Sequence, residues 1–289
     1  MDSSMFGHHV PSTGVPASPR ASSGGRYASL DGLRGVLAAF VMLAHFEQSA
    51  GHPGLLPFAK CSVEAFFVIS AYALTVSWNG RFGAFLGKRF LRLWPAYAVS
   101  IAIASYVSGV AIEWTDYFWY PFKGYNVGCA ADPVVWSLYT EVYANLAMPL
   151  IILLGRRTWT TTLVCISLIL LYGYSEDLYF GLFFVVGSYA TRFKFDFALL
   201  NSRFCQWLGK ISFSLYLTHT IVIGVCKFHF PSIWEYIAIP LCFVVAAAFW
   251  IAVEKPSLWA SRQFGRWIAA KPASASIRAD EVGSTLSAA

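Results

Sequence analysis

Charged side chains are scarce in this chain. Asp, Glu, Lys and Arg make up only 12% of its 289 residues, against roughly a quarter in ordinary soluble proteins. Beside 57% hydrophobic and 17% aromatic residues, that shortage excludes a soluble globular fold, a disordered chain and a fibrous repeat. Cysteine is sparse too. Cys61, Cys129, Cys165, Cys205, Cys226 and Cys242 form no CxxC pair and sit at no metal-ligand spacing with histidine, so no metal site is expected. Cys61 and Cys129 fall on one side of the chain's topology, where an oxidising compartment would allow a bridge; otherwise they are small apolar residues. No fixed-period or inverted repeat is evident, which leaves a single membrane domain. No signal peptide is expected ahead of the first span.

Long apolar runs are present instead, with lengths near the roughly 20 residues that carry a helix across about 30 Å of hydrocarbon. They predict an all-α polytopic membrane bundle of about eight spans, in the range eight to ten. The eight runs cover residues 28–46, 61–78, 91–112, 133–154, 159–174, 178–191, 209–226 and 233–253. The fifth and sixth are short enough to be tilted or re-entrant. Residues 1–26 are Ser-, Gly- and Pro-rich and are expected to be a disordered tail, 27–258 to be the membrane domain, and 259–289 to be basic and then disordered.

The net charge of +6 is read as topology, not as nucleic-acid binding. With both termini inside, only Lys60, Lys123 and Lys227 fall in outer loops and only Arg34 falls within a span; every other Lys and Arg is cytoplasmic. The asymmetry is that of the positive-inside rule. The chain is therefore expected to be a multi-pass protein, in the cytoplasmic membrane if bacterial, with membrane lipids as surroundings.

Charge inside an apolar span is costly and marks function by default. Arg34 and His45 are eleven positions apart, three helical turns plus about 20°, so they share a face about 16 Å apart along the axis. A ligand with an anionic end at the cytoplasmic mouth and a reactive end deep in the membrane would meet Arg34 first and His45 last. The alternative is that Arg34 snorkels to phosphates and His45 caps its helix. Glu64 and Glu141 are expected near the depth of His45, and a histidine with a carboxylate suits general base catalysis or a proton-coupled transporter. Lys88, Arg89 and Arg92 precede the third span, either as a phosphate clamp or as a positive-inside anchor. Asp31 and His219 follow as further candidates. Trp114, Tyr117, Trp119 and Tyr120 suit either an aromatic belt or sugar stacking.

Taken together, five segments resemble acyltransferase family 3, the integral membrane O-acyltransferases of polysaccharides and related acceptors. LDGLRGVLAAFVMLAHF carries the Arg, ten residues, His spacing at Arg34 and His45. SVEAFFVISAYAL is similar to the second-span pattern through Glu64 and Ser70, with Ala71 where the family has Gly. RFLR matches Arg-x-x-Arg at Arg89 and Arg92. VVWSLYTEVY resembles Trp-Ser-Leu-x-x-Glu through Trp136, Ser137 and Glu141, with Val142 in place of a second acid. ISFSLYLTHT resembles the late segment through Ser212, Ser214, Tyr216, Leu217 and His219.

The resemblance implies transfer of an acyl group, commonly acetyl, from cytoplasmic acetyl-CoA or another acyl-CoA to a hydroxyl of a saccharide-containing acceptor, with no metal. His45 would be the general base, assisted by Glu141 or Glu64. Arg34 would orient the donor, and Lys88, Arg89 and Arg92 would take the CoA phosphates. Asp31, Ser70, Trp136, Ser137, Ser212, Tyr216 and His219 would support the site, Ser70 with the option of a covalent intermediate. Two rival readings are a proton-coupled transporter or flippase of a glycan precursor, and a non-catalytic scaffold.

Overall fold

The computed structural model describes residues 23–113, 131–171 and 176–270, and among these every regular element is helical. In chain order they are α1 (Ser23–Ser49), α2 (Leu56–Ser77), α3 (Phe82–Ser108), α4 (Trp136–Leu146), α5 (Met148–Gly155), α6 (Thr158–Leu171), α7 (Glu176–Ala190), α8 (Arg203–His229), α9 (Trp234–Phe249) and α10 (Lys255–Ala270). A π-helical turn, Trp250–Glu254, joins α9 to α10. The protein is an all-α polytopic membrane protein. Among the described residues five helices are long and apolar enough to cross a bilayer, or six if the bent pair α4 and α5 counts as one span.

Several boundaries differ from the hydropathy reading for identifiable reasons. The apolar run 133–154 breaks between α4 and α5 with a 75° bend, because Pro149 has no amide proton to carry the α4 ladder forward. α3 begins at Phe82, so Lys88, Arg89 and Arg92 lie inside a helix and not in a turn before one. α8 starts at Arg203, where Ser202 caps it by accepting from the Cys205 amide; hydropathy finds the buried stretch, not the helix that contains it. The last helix runs on to Ala270, so residues 259–270, assigned to the tail by composition, are helical. At the other end Ser23 to Arg26 belong to α1. Residues 1–22 and 271–289, together with Cys129, Trp114, Tyr117, Trp119 and Tyr120, lie outside the described residues.

α1 and α8 form the most extensive helix pair, followed by α2 with α7 and α8 with α9. Small residues let the first pair approach: a Cβ on Gly35 would overlap the backbone of Leu208 and Gly209, and one on Gly209 would overlap the Asp31 carbonyl. In lipid such close packing replaces the hydrophobic drive that joins helices in water. The start of α1 is tied to the loop before α8 by Ser29, whose hydroxyl lies 2.8 Å from Asn201 Oδ1 and accepts from the Phe197 amide at 2.9 Å. Two core clusters flank this pair, one around Phe67, Phe184 and Met148 and the other around Met42, Leu215 and Ala238.

Gly209→Val is expected to destabilise the bundle by at least the ~1–3 kcal/mol typical of overpacking. Gly181→Ala serves as a control, because nothing lies within 4 Å of its would-be Cβ. Thermal unfolding in detergent should show a large drop for the first and none for the second; equal midpoints would refute the close-packing argument.

Candidate functional site

Arg34 and His45 share the inward face of α1, as their spacing requires, and each lines its own recess. The first recess is bounded by Arg34, Ser70, Ser137, Glu141, Ser212 and Tyr216, with Val63, Phe66, Phe67, Leu138 and Phe213 completing the wall. The second, of about 230 Å³, is bounded by His45, Lys60, Val63, Trp136, Phe180 and Tyr216 among others. Val63 and Tyr216 belong to both, so the two recesses adjoin along α1. Tyr216 is fixed at the junction: its hydroxyl donates to the Val134 carbonyl at 3.1 Å, and Ser137 Oγ lies 2.9 Å from it.

Around Arg34 the charges are crowded. Arg89 Nη2 donates to Glu141 Oε1 at 2.8 Å, with both side chains about six-sevenths buried. Arg92 interacts electrostatically with Arg89, Arg34, Glu141 and Glu254. Three guanidinium groups therefore face two carboxylates. The Nε atoms of Arg34 and Arg89 are buried with no hydrogen-bond partner. Glu254 itself is 5% exposed and accepts from Ser214 Oγ at 2.6 Å. The π-helical turn holds it there, and such turns occur often at functional sites. Lys88 is set apart from this cluster: its carbonyl accepts from Ser261 Oγ of α10 at 2.7 Å, and its aliphatic stem runs beside Gly265.

At the other end His45 Nδ1 lies 3.0 Å from the Val41 carbonyl and 3.0 Å from His219 Nε2. His219 is wholly buried, and its Nδ1 lies 3.0 Å from the Leu215 carbonyl. The neighbours of His45 differ from those drawn in the sequence reading. Glu141 is bonded to Arg89 at the Arg34 end. Glu64 accepts from the Tyr179 hydroxyl at 2.9 Å, under a Lys60 ammonium placed over the Tyr179 and Phe180 rings. Trp136 stacks its ring edge against Phe67 and lies 4.8 Å from Phe180 in the wall of the His45 recess. Asp31 is solvent-exposed and lines neither recess. Cys61 is also exposed.

Three residues escaped the sequence reading. Glu254 follows the eighth apolar run by one position, so a boundary drawn at 253 placed it outside the membrane. Tyr179 gives no signal distinct from its aromatic neighbours. Asp132 was assigned to a loop, yet it is wholly buried, accepting from Thr220 Oγ1 at 2.8 Å and from Ser100 Oγ at 3.4 Å. It thereby joins α3 and α8 beside the His45 end. Among the described residues no group of three or more His, Cys, Asp or Glu side chains is placed to hold a metal ion.

The model of a family described as an acyltransferase domain, acyltransferase family 3, matches residues 27–195, which run from α1 to just beyond α7. A Rhizobium radiobacter protein described as protein 2 in the picA locus is 33% identical over 85 residues, covering 27% of this chain and 44% of that protein. The chain thus matches under half the length of that relative. No solved structure matches.

Proposed function

Because the chain belongs to acyltransferase family 3 and is a multi-pass membrane protein, we propose that it is an acyltransferase that moves an acyl group, acetyl in the simplest case, from acyl-CoA to a hydroxyl of a saccharide-containing acceptor. The observation that carries this reading is the pair of adjoining recesses with Arg34 in one and His45 in the other. The excess of buried guanidinium charge around Arg34 suits the phosphates of a CoA donor, and Arg92 and Arg89 belong to that patch. Lys88, set apart from the cluster and packed beside Gly265, is left as a cytoplasmic-side charge outside the patch. The roughly 16 Å between Arg34 and His45 is comparable to an extended pantetheine arm, which would bring the thioester to His45. Both termini, on this reading, are cytoplasmic.

In the reaction, His45 Nε2 takes the proton of the acceptor hydroxyl as its oxygen bonds to the thioester carbonyl carbon. The carbon–sulfur bond then breaks, the thiolate leaves, and the proton on His45 passes to it, giving an ester and free CoA thiol. Arg34 orients the donor. Trp136 and Phe180, on the wall of the His45 recess, offer flat apolar faces to a sugar ring, while Ser70, Ser137 and Ser212 are the polar lining of the adjoining Arg34 recess and Tyr216 borders both.

The test supplies purified protein with acetyl-CoA labelled in the acetyl group and a panel of glycans, scoring labelled ester together with free thiol. Stoichiometric appearance of both is expected. Glycan movement across vesicles driven by a proton gradient, with no thiol released, would replace the reading with a transporter.

A further inference from the structure

We propose that His219 is a positioning residue that fixes the tautomer of His45 and shares the charge it acquires, so that the base works with a second imidazole in place of a carboxylate. The proposal rests on the reading of His45 as the general base. Its argument is a proton count along one line of atoms. His219 Nδ1 lies 3.0 Å from the Leu215 carbonyl, and a carbonyl only accepts, so a neutral His219 must carry its proton on Nδ1. Its Nε2 then has a lone pair and no proton. That lone pair lies 3.0 Å from His45 Nδ1, where two lone pairs would repel, so His45 carries its proton on Nδ1. The Val41 carbonyl, also 3.0 Å from that nitrogen, imposes the same assignment. Nε2 of His45 is left unprotonated, which is the form a general base requires.

The pairing also bears on the charged state. When Nε2 takes the proton from the acceptor hydroxyl, the imidazolium Nδ1–H donates to an imidazole lone pair, a stronger hydrogen bond than to the Val41 carbonyl alone. In a Ser-His-Asp triad a carboxylate serves this purpose. Here both nearby acids of the second and fourth spans are engaged elsewhere, Glu64 with Tyr179 and Glu141 with Arg89. His219 is itself held rigidly. It has no exposed surface, its ring lies 5.0 Å from that of His45, and the Cys242 thiol of α9 packs on its carbonyl. A side chain so enclosed has one orientation to offer.

Two measurements test this. In protein labelled with ¹⁵N-histidine, two-bond proton–nitrogen correlation spectra, assigned with His45→Ala, should show neutral His45 protonated on Nδ1; a proton on Nε2 overturns the proposal whatever the activity. In the transfer assay His219→Leu, which keeps bulk and removes the acceptor, should lower kcat by about 10²-fold, within the range a positioned base contributes, with KM for donor and acceptor unchanged. His219→Gln, whose Oε1 can accept from His45 Nδ1, should recover most of the loss. Wild-type kcat in the Leu variant, or a Gln variant as impaired as the Leu variant, refutes the positioning role while leaving His45 as base. Wild-type protein with the Nδ1–H tautomer but no acyl transfer refutes the enzymatic reading and leaves the tautomer assignment standing.

Discussion

His45→Ala is expected to lower kcat for acyl transfer by about 10²–10⁴-fold, the range attributed to a positioned general base, with little change in KM for acyl-CoA. The reason is geometric. His45 borders its recess from α1, and among the described residues no carboxylate is bonded to it that could act in its place: Glu64 is tied to Tyr179 and Glu141 to Arg89. Lys60 lines the same recess, but its side chain is engaged over the Tyr179 and Phe180 rings. Donor binding should persist because the guanidinium patch is a full helical stretch away, so a binding measurement with an acyl-CoA analogue separates lost chemistry from lost affinity. A His45→Ala protein that transfers label at the wild-type rate would remove His45 from the mechanism.

The second large effect concerns stability. Glu141→Ala removes the carboxylate that Arg89 Nη2 contacts at 2.8 Å, leaving a buried guanidinium beside Arg34 and Arg92, both of the same sign. Breaking such a pair by deleting one partner costs about 3–5 kcal/mol, because the remaining charge is buried uncompensated. Arg89→Met with Glu141→Leu removes both charges and should recover most of that loss, since an apolar pair of similar volume does as well in a low-dielectric site. Activity should not recover with it, because the double variant also lowers the positive charge available to a polyanionic donor. Thermal unfolding of wild type, Arg89→Met, Glu141→Leu and the double variant in one detergent gives the coupling energy. If Glu141→Ala alone unfolds at the wild-type temperature, the ion pair is not what holds α3 to α4.

Much of this was legible in the sequence because membrane insertion is written in local composition. Runs of apolar residues located α1, α2, α3, α8 and α9, and a helical period put Arg34 and His45 on one face without any knowledge of their neighbours. Pairings across the bundle were not legible. His45 and His219 are separated by 174 positions and meet only because Gly32, Gly35 and Gly209 bring α1 against α8. Glu141 sits at a depth in its run that resembles that of His45, yet the helix α3, extended back to Phe82, presents Arg89 to it. Hydropathy also misplaces residues where a helix outruns the apolar stretch, as it did for Glu254.

The π-helical turn at Trp250–Glu254 sets the phase between the two helices it joins. One residue beyond the α-helical repeat rotates everything that follows by about 100°, so a single local choice decides two contacts at once. It turns Glu254 toward Ser214, and it turns the same face of α10 toward α3, where Ser261 meets the Lys88 carbonyl and Phe264 fills the space over Gly87. The buried acid and the outer brace of the arginine-bearing helix are therefore not independent parts. They are geared together, and any rewinding of that turn would shift the charge balance of the interior and loosen its wall in one movement.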